Sequence, residues 1–264
     1  MQKAHSTLKT KLFSFIFAAV SLLIATQIQA GAQEIAIEKR VDASALLPHE
    51  AAILKQIYQH NNLNFDNQKI YQINESDLIT TTEDYMYLSR KKSDSEPYLR
   101  SLFELTTVVI NEKNQIISLN LSQPKDKPFL PISGFKHLKG LRLGGGVTHV
   151  PQLSDLPALE VLDISVSTIT KFPDLNNLPN LRVLDMSGLE KLKIISSDTN
   201  QLLLPSLETL ILSLSDIKQL DLSIFPNLRK LYVNYNKLTE LDFTHTPYLE
   251  ELNLERCGIK TFDK

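Results

Sequence analysis

Between residues 116 and 254 one apolar phrase returns seven times, and no other feature of the chain limits its fold so tightly. The phrase starts at Ile116, Leu138, Leu159, Leu181, Leu207, Leu228 and Leu249, at intervals of 22, 21, 22, 26, 21 and 21 residues. Apolar residues follow three and five positions later: Leu119/Leu121, Leu141/Leu143, Leu162/Ile164, Leu184/Met186, Leu210/Leu212, Leu231/Val233 and Leu252/Leu254. The last six copies add an apolar pair spaced by three, at Val147/Val150, Ile169/Phe172, Leu192/Ile195, Ile217/Leu220, Leu238/Leu241 and Ile259/Phe262. Proline stands two residues before a start at Pro157, Pro179, Pro205, Pro226 and Pro247.

In a short strand alternate side chains face opposite sides, so the third and fifth residues after each start point inward while the fourth and sixth point out. One coil cannot bury its own leucines. Stacked coils bury a continuous ladder, each fully buried side chain contributing about 1.5–3 kcal/mol. The strands join as a parallel sheet, and the prolines fall on the return segments, where a missing N–H breaks no ladder bond.

This pattern resembles the leucine-rich repeat family, whose phrase is L-x-x-L-x-L-x-x-N/C-x-L. The resemblance covers residues 109–264. It implies an α/β-type repeat solenoid, a horseshoe of about seven coils with a parallel concave sheet, preceded by a small, mainly helical N-terminal cap. The N/C position falls at Gly146, Ser167, Ser215, Asn236 and Cys257, where the family places a side chain that bonds loop backbone inside the coil. Cys257 is accordingly expected to be structural. The fourth copy carries about five extra residues around Lys193 to Leu203, expected to bulge on the outer face. Repeat length is similar to that of the bacterial internalins, which bind host receptors, and the family's typical role is interaction rather than catalysis.

Residues 1–32 read as a secretory signal peptide: Lys3, Lys9 and Lys11 precede an apolar run from Leu12 to Ala25, and cleavage is expected after Ala30 or Ala32. The run is shorter than the ~20 residues a bilayer span requires. A periplasmic or extracellular protein without membrane insertion after cleavage is expected. Removing that segment takes away three lysines and no acids, leaving 25 basic against 30 acidic residues. Nothing in this balance resembles a nucleic-acid binder, which would carry a clustered basic excess, and a single cysteine excludes an internal disulfide.

Residues 33–108 form the cap region. "LPHEAAILKQIYQHNN" spaces Ala51, Leu54, Ile57 and Tyr58 as the apolar face of a helix that starts near Pro48 and ends by Asn61-Asn62. A second short helix is expected in "SEPYLRSLFEL", with Ser95 as cap and Pro97 in its first turn. "VVINEKNQIISLNLS" resembles the hairpin that feeds the first coil of secreted bacterial leucine-rich repeat proteins.

No residue set stands out for catalysis. The six histidines, at 5, 49, 60, 137, 149 and 245, form no i, i+4 pair and meet no ligand at metal spacing, so no metal and no cofactor is expected. Gly144-Gly145-Gly146 lacks the following Lys-Ser/Thr of a phosphate loop and reads as a small-residue patch. Asp163 and Asp185 fall on neighbouring strands at the separation of a retaining glycosidase pair, about 5 Å, but also read as surface acids beside Arg142 and Arg182.

The residue after each start alternates in sign, Lys139, Glu160, Arg182, Glu208, Arg229 and Glu250, which predicts a lateral charge ladder worth about 0.2–1 kcal/mol per exposed pair. Other outward positions carry apolar residues: Val161, Val166, Val183, Ile211, Leu214, Tyr232 and Tyr235. Exposed apolar and aromatic groups of this kind mark interfaces. The sequence therefore points to a non-enzymatic module that binds a protein or peptide on the concave face through Ile211, Leu214, Tyr232 and Tyr235. Val161 and Val183 would extend the patch, with Asn234 and Asn253 at its rim. Glu250, Glu251, Glu255 and Arg256 guard the last strand edge, so a monomer is expected. An envelope structural or self-assembly protein, and a hydrolase with a cleft between cap and repeats, stay open as alternatives.

Overall fold

The structure is a computed structural model that describes residues 39–60, 65, 69–72, 107–122, 128–144, 146–197 and 203–259. The expected signal peptide and the expected helix around Pro97 lie outside these residues. The repeats fold as expected: strands β4 (Ile116–Ser122), β5 (Gly140–Gly144), β6 (Val161–Asp163), β7 (Val183–Asp185), β9 (Thr209–Ile211), β11 (Lys230–Tyr232) and β12 (Glu251–Asn253) pair in parallel, in that order. Register is strict, for Leu119, Leu141, Leu162, Leu184, Leu210, Leu231 and Leu252 are successive partners. The first six of these leucines are fully buried, whereas Leu252, on the last strand, stays 39% exposed.

Each start from Ile116 to Leu228 is buried in the same core, which also takes in Val147, Ile169, Leu192, Ile195, Ile217, Leu220 and Leu238 from the return segments. The enlarged fourth copy adds a second, two-stranded parallel sheet, β8 (Ile194–Ile195) with β10 (Gln219–Leu220), away from the main sheet.

The expected helix is present as α1 (Pro48–His60), with Leu54, Ile57 and Tyr58 buried and Ala51 packed on the core. Pro48 opens it, Glu50 stands in its first turn and His60 in its last, the arrangement a helix dipole favours. Strands also contribute here. β1 (Lys39–Val41), β2 (Lys69–Gln72) and β3 (Thr107–Ile110) extend the main sheet to ten strands, with β3 and β4 forming an antiparallel hairpin as expected.

Glu50 holds cap and repeats together. It is 1% exposed, and its Oε2 accepts the Ile116 N–H at 2.9 Å, a backbone donor at the very start of the first ladder strand. Burial pushes its carboxyl above the usual carboxylate range, against the opposing pull of that N–H and of His49 and His137.

On the return side, Asp221 bolts two loops together. Its Oδ2 accepts the Ser197 N–H and hydroxyl at 3.1 and 2.6 Å, and its Oδ1 accepts those of Ser223 at 2.9 and 2.6 Å. Burial alone would raise its pKa, but these four bonds hold it at about 2, below the ordinary 3.8. An acid whose folded pKa is depressed contributes stability above its unfolded pKa and loses it as pH falls through the folded one. Wild-type stability should therefore drop between pH ~4 and pH ~2 more steeply than that of Asp221→Asn. Thermal melts across this range check it; parallel acid limbs for the two proteins would remove Asp221 from the acid response.

Candidate functional site

Parallel pairing does not stop where the strands formally end. The N–H groups of Val166, Gly188, Leu214 and Tyr235 donate to the carbonyls of Ser187, Ser213, Asn234 and Glu255 on the next coil, at 2.7–2.9 Å. These four residues and Arg256 occupy the seventh position after successive starts, and all five adopt left-handed backbone, with φ of 55, 73, 57, 59 and 56° in chain order for Val166, Gly188, Leu214, Tyr235 and Arg256. The chain turns out of the sheet at this column, so its side chains stand at the edge of the concave face.

Strand-end side chains fix the turn. Asp163, Asp185 and Asn253 each accept, through Oδ1, the N–H two residues on, from Ser165, Ser187 and Glu255 at 2.9–3.0 Å. Such Asx bonds stabilise a tight reversal. Asp163 and Asp185 are register partners, as their spacing predicts, and Asp163 lies 3.3 Å from Arg142 Nε. Both acids are thus engaged as turn caps.

One residue further on, the interior side chains work as the family pattern implies. Asn236 Nδ2 donates to the Leu212 and Val233 carbonyls at 2.7 and 2.9 Å, while its Oδ1 accepts the Ile217 N–H at 2.9 Å. Ser215 Oγ accepts the Leu189 N–H at 2.9 Å. Cys257 Sγ donates to the Val233 carbonyl at 3.0 Å, and burial pushes its thiol up, the opposite of what a nucleophile needs. Gly146 and Ser167 depart from this column: Gly146 is exposed with φ of 74° and serves as a turn residue instead, and the buried Ser167 hydroxyl has no hydrogen-bond partner among the described residues.

The eight residues expected to meet a ligand divide by burial. Val161 and Val183 are register partners on the concave side, yet only 2% and 0% exposed. Ile211 and Tyr232 are likewise partners, pack as an apolar pair separate from the main core, and are 6% and 1% exposed. Leu214 and Tyr235 do not share their column. They stand three residues on, beyond the turn, at 37% and 39% exposure. Asn234 and Asn253 are half-buried, with Oδ1 taken by the Ser213 hydroxyl and the Glu255 N–H respectively.

What the outward-column reading did not single out is the turn column itself. Val166, 52% exposed, continues it beyond Gly188, and Arg256 closes it with its guanidinium carbon 5.1 Å from the centre of the Tyr235 ring. Gly188 supplied the available signal, since a glycine in phase with Val166, Leu214 and Tyr235 marks a position of positive φ.

Among the described residues the charge ladder contains three ion pairs, Lys139 with Glu160 at 3.8 Å, Arg182 with Glu208 at 2.7 Å and Arg229 with Glu250 at 2.6 Å, and the Glu160 charge also acts on Arg182. No described helix is long and apolar enough to cross a membrane, and no group of three or more potential metal ligands occurs among the described residues.

No family model and no curated protein matches the chain. Among solved structures, it is similar to the APL1 leucine-rich repeat domain, at 19% identity over 66% of this chain and 48% of that one, with a TM-score of 0.35. It is also similar to the functional domain of InlJ from Listeria monocytogenes, which includes a cysteine ladder, at 20% identity over 61% and 56% of the two chains, with a TM-score of 0.28. The chain thus spans about half the length of these structures. Its own register, with seven parallel strands carrying one leucine ladder and a turn column in fixed phase, makes it a parallel-sheet β-solenoid.

Proposed function

We propose that the chain is a non-catalytic module of the periplasm or extracellular space that binds a protein or peptide along the edge of its concave face. The observation that carries this reading is the turn column. Left-handed backbone costs a residue with a Cβ about 1–2 kcal/mol, which glycine or asparagine would largely avoid. Here Val166, Leu214 and Tyr235 bear that strain and also leave apolar surface in water. Neighbouring coils lie about 4.8 Å apart, so Leu214 and Tyr235 form one continuous ridge. Asn234 and Asn253 stand beside it with Nδ2 groups to donate, and Tyr232 and Ile211, with Val161 and Val183 further along, form the packed sheet face next to it.

The experiment is the paired change Leu214→Asn with Tyr235→Asn. Asparagine suits left-handed backbone, so this variant strips the ridge while relieving strain. Its affinity for the native ligand, recovered by crosslinking from the source culture, should fall while its thermal midpoint holds.

A further inference from the structure

The opposite rim of the sheet, where the strands begin, carries a second recurring surface. A cleft of about 900 Å³ runs along it from the third copy to the seventh, with Asn180, Arg182, Asn227, Arg229 and Tyr248 in its lining. Two columns build it, and each repeats one side chain at an interval of two coils: arginine after the start, at Arg182 and Arg229, and asparagine before it, at Asn180 and Asn227. The residue after each start reads Glu160, Arg182, Glu208, Arg229 and Glu250, and the residue before each start reads Ala158, Asn180, Ser206, Asn227 and Tyr248.

These side chains are held in place by the solenoid. Asn180 Nδ2 donates to the Pro157 carbonyl at 2.7 Å and Asn227 Nδ2 to the Pro205 carbonyl at 2.8 Å, each spanning to the preceding coil. Each amide keeps one N–H and its Oδ1 for a ligand. Arg182 grips Glu208 through Nε and Nη2, at 3.1 and 2.7 Å, which fixes the guanidinium plane. Tyr248, 59% exposed, closes one end of the cleft with its ring.

We propose that this rim cleft binds a polypeptide segment in the polyproline II conformation. Period decides between extended ligands. Two coils advance about 9.6 Å. A β-strand repeats its side chains every ~6.7 Å and falls out of step after one such interval. A polyproline II helix repeats every three residues, about 9.3 Å, and stays in step. The four coil intervals of the cleft span about 19 Å, room for about six such residues. The chemistry agrees. Polyproline II backbone has no internal hydrogen bonds, so its carbonyls are free to accept from Asn180, Asn227, Arg182 and Arg229. An exposed tyrosine is the surface on which proline rings pack in such recognition.

The test is fluorescence anisotropy with a fluorescein-labelled oligoproline as probe and a Gly-Ser peptide of equal length as flexible control. Wild-type protein should bind the oligoproline saturably and the control far more weakly. Tyr248→Ala and Asn227→Ala, both changes at exposed side chains, should each weaken binding about tenfold, while the Leu214→Asn, Tyr235→Asn ridge variant binds as wild type. The proposal is overturned by a flat oligoproline titration, by full affinity in Tyr248→Ala, or by displacement of the probe with cellohexaose, which would make the cleft a polysaccharide groove. A ridge variant that loses native ligand but keeps oligoproline separates this site from the ridge.

Discussion

Replacing Leu231 by aspartate is expected to destroy the cooperative unfolding of the repeats. Leu231 is fully buried, and its register partners are Leu210 on one side and Leu252 on the other. A carboxylate there would sit inside a column of leucines with no cation and no donor, so it must either ionise without compensation or take up a proton at a cost. Loss of the leucine's own burial adds to this. Together these terms cost at least about 4 kcal/mol, a large part of the 5–15 kcal/mol that holds a domain folded. Because each coil is stable only against its neighbours, the defect should propagate through the last coils. A circular dichroism melt should show a midpoint about 10 °C or more below wild type, or no transition at all. Leu203→Asp is the matched control: Leu203 is 50% exposed, and its change should cost about 0.5 kcal/mol or less. Equal melts for the two variants would contradict the register.

The ladder was legible because it depends on one short-range rule repeated. Alternation places Leu162 inward from its spacing alone, and stacking at a fixed period places Leu184 beside it. The same rule gives direction but not exposure. Val161 and Val183 do lie in an outward column, yet they are buried. Tyr232 and Leu214 look alike in a list of outward apolar residues, but one is a strand residue and the other a left-handed turn residue. That difference lies in φ, and only Gly188 hints at it in the sequence. Glu50 was illegible for another reason. Its partner is the N–H of Ile116, 66 residues away, and a buried acid in a helix's first turn reads from sequence as a favourable dipole contact. The strands β1 and β2 are three and four residues long and join the sheet through long-range pairing, which no local pattern announces.

The rim columns show the reverse case. Their alternation of sign was visible in the sequence and predicted a ladder of ion pairs. The structure keeps three pairs and places four of the six residues, Glu160, Arg182, Glu208 and Arg229, along a cleft. A column that stabilises a stack and one that faces a ligand have the same spacing, because both are set by the coil. Only the side-chain bonds to Pro157 and Pro205 reveal that the amides are held with donors to spare.

The functional account stands on the turn column, and the second large effect is expected there. A few apolar and aromatic anchors dominate most interfaces, and removing two adjacent ones should weaken binding about a hundredfold, or about 2.8 kcal/mol. Structural damage would lower affinity too, so stability must be read on the same samples. Relief of left-handed strain at two positions makes Leu214→Asn with Tyr235→Asn at least as stable as wild type, whereas a merely structural role for these side chains would lower the melting point. Lys171→Ala, on an exposed return loop, supplies the comparison. The decisive measurement is therefore the affinity of the native ligand for the three proteins, paired with their thermal midpoints. The account predicts about a hundredfold loss for the ridge variant at an unchanged or higher midpoint, and wild-type affinity for Lys171→Ala. Wild-type affinity in a folded ridge variant would contradict it.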